Sequence, residues 1–309
     1  MNYNRAVSTA RISGHFLLMF LATPLLAGSA CEKKKPNDTG AITAADRVAP
    51  ATPLDTTPLT GIDASKLDAD KQKLFYSLVG SLGSPCGQGH SLRVSFNTDK
   101  SCKRAPFAAK YVLALVEDEF KESDIREEYA EKYEHKPTPV TFDVSKAPRV
   151  GNDDAPVRIV EFFDYACGAC ARFRPILDKV AEDKAGQVVF YYLMYPLGNW
   201  VDSKSAGQAS IAAAAQGKFK EMHEVLFENA PRHNRDAVIG YAKQLGLDVA
   251  KFEQTYAAAA SQVDSDHAQG KAAGVHQTPT IYFNDRMYAG PPSPKYIGMW
   301  IDEEIAVNR

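Results

Sequence analysis

The sequence carries no charge excess of either sign. Its 36 Lys and Arg against 38 Asp and Glu leave a formal net charge of −2. No basic surplus points to a nucleic-acid partner, and no acidic surplus points to a solvating tail. Past residue 30 no apolar run is long enough to span a bilayer. Cysteine is scarce, at five residues, and the odd number needs explaining in an exported chain. No second Cys-x-x-Cys and no pair of histidines accompanies Cys167-Gly168-Ala169-Cys170, so a zinc site of the usual spacing lacks half its ligands. What remains is ordinary for a globular protein, 45% apolar and 24% charged. The 309 residues suffice for about two domains.

Residues 1–30 read as a secretory signal peptide. Arg5 and Arg11 form the positive start, Phe16 to Ala27 a short apolar stretch broken by Pro24, and Ala27-Gly28-Ser29-Ala30 the small-residue end. Export implies a compartment in which disulfides form. Cys31 follows directly, as in a bacterial lipoprotein, although Gly28 stands where such boxes carry an aliphatic residue. A lipid anchor on Cys31 is the favoured reading; ordinary signal cleavage, leaving a spare thiol, is the plainer one. An anchored Cys31 leaves two pairs of cysteines. Residues 31–62, rich in Lys, Thr, Pro, Ala and Asp, read as a flexible tether spanning on the order of 30 Å.

Residues 63–136 read as a small helical module. Leu67, Leu74, Phe75, Leu78, Val79 and Leu82 recur at helical spacing. A second helix is expected from Pro106 through Phe120, and a third capped by Ser123 and stopped before Pro137. Cys86 and Cys102 flank the connection between the first two. A structural disulfide there would stabilise so small a module. Metal binding with His90 is the alternative, weakened by a missing fourth ligand.

Residues 137–309 form the larger module. Val140 to Val144 alternates like a strand, and Val157 to Phe163 is the nearly continuous apolar run of a buried central strand. Cys167 to Cys170 follows at once, opening a helix expected to run to about Ala185. Val188 to Leu193 is the next strand, 203–272 is helical without a strand signal, Thr280 to Phe283 and Met287 to Ala289 form a hairpin, and 293–307 is a closing helix. A Cys-x-x-Cys at the junction of buried strand and helix favours redox chemistry over metal binding. Residues i and i+3 of a helix lie within disulfide reach. Cys167 at the helix N-terminus is the expected nucleophile, its thiolate favoured by unpaired amides and the helix dipole, and Cys170 the resolving thiol. Glu161, in the middle of the apolar strand, is either a solvent-facing residue or a buried acid that accepts the Cys170 proton.

The segment from Glu161-Phe162-Phe163-Asp164-Tyr165-Ala166-Cys167 to Cys170 and Phe173 resembles the active-site segment of DsbA-like thioredoxin-fold proteins. So do Gln216 to His223 with Leu226-Phe227, and Gly274 to Thr280. The order of elements suggests an α/β thioredoxin fold with a helical insertion, preceded by the small α-helical module, and the resemblance, over about residues 138–307, implies the same thioredoxin fold. It also implies a cis Thr278–Pro279 bond facing the cysteines, with Thr278 and Pro279 binding extended substrate. Gly168 and Ala169, the active-site loop, stand where strong oxidases of the family carry Pro-His, so a less acidic Cys167 and a less oxidising disulfide are expected. Gln277 stands where the family often has Gly. His276 could either modulate Cys167 or face solvent; His223, Trp200 and Trp300 read as structural. The helical module more faintly resembles the three-helix domain of cytochrome c maturation thiol proteins.

The expected activity is therefore dithiol–disulfide exchange with protein substrates in the periplasm or cell envelope. It needs no metal and no organic cofactor. A membrane redox partner would recharge the pair. The rivals are a chaperone or Cu(I)-binding protein on the same fold, and a dedicated reductant in cytochrome c assembly.

Overall fold

Apolar residues at helical spacing build the N-terminal module as expected, with differences at its joints. The structure, a computed structural model, describes residues 53–135, 139–198 and 202–308. The expected leader, Cys31 and Trp200 lie outside the described residues. Helix α1 (Ala69–Ser81) is capped by the Asp68 carboxylate, which accepts from the Lys71 amide at 2.9 Å. Helix α3 (Ala105–Glu117) carries Pro106 in its first turn. Between them lies α2 (Leu92–Thr98), which no periodicity announces because about two turns are too few to show any; Ser91 caps it. The Cys86–Cys102 disulfide ties this connection to the start of α3, so neither cysteine is a metal ligand. Helix α4 (Glu122–Tyr129) starts before the expected cap: Lys121 is at the N-cap, and the Ser123 hydroxyl donates to Asp124 instead. A wider turn, Ala130–Glu134, ends on a bond from the His135 amide to the Ala130 carbonyl at 2.9 Å. The expected tether does not stay free to residue 62. Leu59 and Ile62 are buried, and Arg93 donates to the Asp55 and Thr57 carbonyls at 2.8 and 2.9 Å.

The second half is built on one five-stranded sheet. Its strands are β1 (Arg149–Gly151), β2 (Val157–Phe163), β3 (Val188–Met194), β4 (Thr280–Phe283) and β5 (Arg286–Met287), in the order β1-β3-β2-β4-β5. Only β2 and β3 run parallel, joined by α5 (Gly168–Asp183). Between β3 and β4 come α6 (Ser203–Ala214), α7 (Phe219–Glu228), α8 (Arg235–Gln244), α9 (Val249–Ala258) and α10 (Ala260–Ala272); α11 (Pro294–Val307) closes the chain. This is the expected thioredoxin-type order with a helical insertion.

Val140 to Val144 is not a strand. Its amides find partners outside any ladder: Val140 donates to the Asp285 carbonyl and Asp143 to the Gln269 side chain. Its alternation reflects a buried Phe142, packed on Phe162 and Tyr282. The short edge strand β1 pairs instead, and it needs Gly151, where a Cβ would stand 2.5 Å from the Val188 carbonyl oxygen. The hairpin partner of β4 likewise begins at Arg286 rather than at Met287.

Alternation along β2 splits the core. Val160 and Phe162 face one cluster with Phe142, Leu193, Tyr195 and Tyr282. Val157, Ile159 and Phe163 face the other, with Cys170, Leu177 and Val180 of α5 and Ile297, Trp300 and Ile301 of α11. Glu161 points to this second side.

The helical module docks on α11 through a buried ionic cluster. Lys132 pairs with Glu303 at 2.9 Å and lies 3.5 Å over the Trp300 ring. Arg104 reaches Glu303 and Glu304, and Arg286 pairs with Glu304 at 3.2 Å. Burial alone would raise the Glu303 carboxyl, but Lys132 and Arg104 outweigh it and hold it below the usual range.

Candidate functional site

The site begins where β2 ends. The Asp164 carboxylate is buried; it accepts from the Ala166 amide at 2.9 Å and the Leu197 amide at 3.1 Å, and the Asp164 carbonyl accepts from the Cys167 amide at 3.0 Å. These bonds fix the turn that carries the chain into α5. Tyr165 is locked by its hydroxyl, 2.9 Å from His223 Nδ1, within a shell of Phe163, Tyr192 and Phe227 rings. Burial and the nearby Arg174 push His223 down to about 3, so its imidazole stays neutral and structural, as the sequence suggested.

Cys167 is the N-cap of α5, and Cys170 lies one turn in. Both thiols are free and buried, Cys167 at 7% exposure and Cys170 at 1%. The hydrogen bond from Cys170 lowers the Cys167 thiol to about 5, against burial, with further help from the Thr278 side chain and the Cys170 and Ala169 amides. Burial, the bond to Cys167 and the charge of Glu161 drive Cys170 the other way, far above the usual thiol range. One helical turn thus holds a thiol that loses its proton readily beside one that keeps it far more tightly. Gly168 and Ala169 between them add no titratable group.

The Thr278–Pro279 bond is cis, and its loop covers the cysteines. The Thr278 carbonyl oxygen accepts from the Cys167 thiol at 3.4 Å. The Thr278 hydroxyl is buried without a conventional hydrogen-bond partner among the described residues. His276 faces solvent and bonds the Gly274 carbonyl at 2.8 Å; it is not part of the thiol site.

Glu161 is buried, at 4% exposure. Burial, reinforced by the charge of Asp178, raises its carboxyl to about 8. Its neighbours across the ladders are Tyr192 on β3 and Ile281 on β4. Sequence reading missed Asp164 and Asp178. Asp164 sits inside the recognised segment, but only its two amide partners reveal its work. Asp178 is one acid among several on α5, and nothing in the sequence says which of them points toward the sheet.

A thioredoxin family profile matches residues 143–303. The chain is 32% identical over 146 residues to a Na(+)/H(+) antiporter NhaA 1 of Mycobacterium sp. (strain KMS), covering 46% of this chain and 24% of that protein. It is 33% identical over 145 residues to a Na(+)/H(+) antiporter NhaA of Herminiimonas arsenicoxydans, covering 45% and 22%. The chain thus spans about a quarter of the length of the curated relatives it matches. Among solved structures it is similar to oxidised BdbD from Bacillus subtilis, with 27% identity, a TM-score of 0.49, and coverage of 55% of this chain and 99% of that one. It is also similar to the reduced disulfide oxidoreductase DsbG from Mycobacterium tuberculosis, with 20% identity, a TM-score of 0.45, and coverage of 53% and 89%. No helix among the described residues is long and apolar enough to cross a membrane.

Proposed function

The chain belongs to the thioredoxin family, and from that premise we propose that it is a protein disulfide oxidoreductase working through Cys167 and Cys170. The observation that carries this reading is the opposed pair of thiols on one helical turn, the outer one lowered to about 5 and the inner one raised. In the reducing direction the Cys167 thiolate attacks a substrate disulfide, forming a mixed disulfide and releasing one substrate thiolate. Cys170 passes its proton to the Glu161 carboxylate and attacks Cys167 Sγ. The second substrate thiolate leaves; the enzyme pair is oxidised by two electrons and the substrate disulfide is reduced to two thiols. The oxidising direction is the reverse. No cofactor enters either direction.

Thr278 and Pro279 hold extended substrate in this reading. Among the described residues the Thr278 amide has no backbone partner, which suits strand-like pairing with a peptide. A Cys167 pKa of about 5 falls between the ~3.5 of DsbA and the ~7 of thioredoxin. That supports a disulfide less oxidising than DsbA's, whose potential is about −120 mV. Protein thiols and disulfides of the cell envelope are the substrates, and a membrane redox partner restores the pair. The apolar leader and the small residues before Cys31 support export and lipid anchoring at that cysteine.

Insulin reduction by the purified protein, with glutathione titration of the pair, tests this. Turnover abolished by Cys167→Ser, and mixed disulfides with substrate accumulating in Cys170→Ala, are the expected results. Equimolar Cu(I) binding by the reduced protein without insulin turnover would replace the enzyme by a copper-binding protein on the same fold.

A further inference from the structure

A proton accepted by Glu161 must come and go from a buried carboxyl, so the groups around that carboxyl decide when it can accept. A cleft of about 460 Å³ opens between α5 and α7 on the same side of the sheet. Its walls include Arg174 and Asp178 from α5 and Lys220, His223 and Glu224 from α7, and β3 contributes Tyr192. Tyr192 stands directly opposite Glu161 in the β2–β3 ladder. Its hydroxyl makes no hydrogen bond to another described residue. Cys170, Arg174 and Asp178 follow one another at four-residue steps, which places them along one face of α5. Asp178 therefore lies on the face that carries the resolving thiol, beside a cleft that reaches the cross-strand neighbour of Glu161.

The titratable groups around Glu161 are few. Helix α5 supplies Cys170 and Asp178, the turn after β2 supplies Tyr165, and β3 supplies Tyr192. Strand β4 presents Ile281. Helix α11 brings Ile297, Trp300 and Ile301 to the same core, and its acids Glu303 and Glu304 are held by Arg104, Lys132 and Arg286. Helix α7 offers a neutral His223 and, at the cleft wall, Lys220 and Glu224. Asp178 is thus the single acid set against Glu161 among the described residues; burial, with Glu182 and Glu224, raises its own carboxyl above the usual range, and Arg174 and Lys220 oppose that shift.

We propose that Asp178 is a positioning residue for the exchange reaction: from the cleft between α5 and α7 its carboxylate sets the pH at which Glu161 accepts the Cys170 proton. The proposal rests on the reading of Glu161 as that acceptor. A second negative charge disfavours the Glu161 carboxylate and strengthens it as a base once formed. The proton moves from Cys170 Sγ to a Glu161 oxygen, and Asp178 neither takes it nor gives one.

The test follows resolution in a single turnover. Cys167 of the full chain is loaded with 5-thio-2-nitrobenzoate as a mixed disulfide, and release of the coloured thiolate by Cys170 is followed from pH 6 to 10. The native protein should show an inflection near pH 8, and in Asp178→Asn that inflection should move down by about half a pH unit or more, with a plateau a few-fold slower. Asp178→Glu should restore the native profile, and Asp183→Asn, at an exposed acid paired with Lys179, should leave it unmoved. An Asp178→Asn profile that coincides with the native one, while Glu161→Gln abolishes the inflection, overturns the role of Asp178 and leaves Glu161 as acceptor. An inflection that survives in Glu161→Gln removes Glu161 as acceptor and the proposal with it.

Discussion

The Cys167 thiol and the Thr278 carbonyl oxygen meet at 3.4 Å, across 111 positions of chain. This contact joins the start of α5 to the loop before β4, and every step of the proposed exchange takes place beside it. In the proposed exchange a substrate sulfur approaching Cys167 passes the same loop, so that one segment would both influence the thiol and meet the incoming peptide.

The Thr278 side chain, as distinct from its carbonyl, helps to lower the Cys167 thiol, so removing its hydroxyl should weaken the thiolate. In Thr278→Val the Cys167 pKa is expected to rise from about 5 by about one pH unit, since one of several thiolate donors is lost. Absorbance at 240 nm against pH reads it, and alkylation at pH 5 should slow several-fold. An unchanged titration curve would mean the hydroxyl does not address the sulfur.

Glu161→Gln should separate activity from stability. The folded-state carboxyl is raised to about 8, so the native state holds its proton more tightly than the unfolded chain. Stability attached to this group is therefore full below the unfolded carboxyl value and lost as pH rises to about 8. The amide cannot ionise, so the variant should gain on the order of a few kcal/mol relative to the native protein at pH 9 and little at pH 4. Urea unfolding at the two pH values checks this, while insulin reduction should fall.

The Cys86–Cys102 disulfide closes a separation of 16 positions. Replacing both cysteines by serine should cost about 3 kcal/mol on the chain-entropy account. Insulin reduction should stay within about twofold below the unfolding range, because the proposed exchange uses only the Cys167–Cys170 pair. Loss of turnover in a folded double variant would instead give this bond a part in electron transfer.

Lys132→Met should be costly for a different reason. It leaves Glu303 buried at 1% exposure with Arg104 as its remaining cation. Breaking a buried pair on one side costs about 3–5 kcal/mol, more than such a pair contributes net. The double variant Lys132→Met with Glu303→Leu should recover part of the loss, as denaturant midpoints would show.

Much of the molecule is legible in local pattern. The apolar run of β2, the helix breaks and the short motif around Cys167 each announce themselves within a few residues, because strand and helix periods are local properties. Val140 to Val144 misled for the same reason: alternation marks an extended backbone with one buried face, and Phe142 supplies that without a pairing strand. Helix α2 went unseen because seven residues are too few to display a period.

The sequence by itself determined the chemistry on offer: two cysteines one turn apart at a strand–helix junction, an acid in an apolar strand, and a Thr-Pro step far downstream. Tertiary structure alone decided which of these groups meet. It turned Glu161 to the α5 side of the sheet, set Tyr192 opposite it and brought Thr278 over Cys167. Burial, charge and hydrogen bonding depend on distances between segments far apart in the chain. The shifts that separate the two thiols and raise the acid therefore exist only once the sheet has brought those segments together.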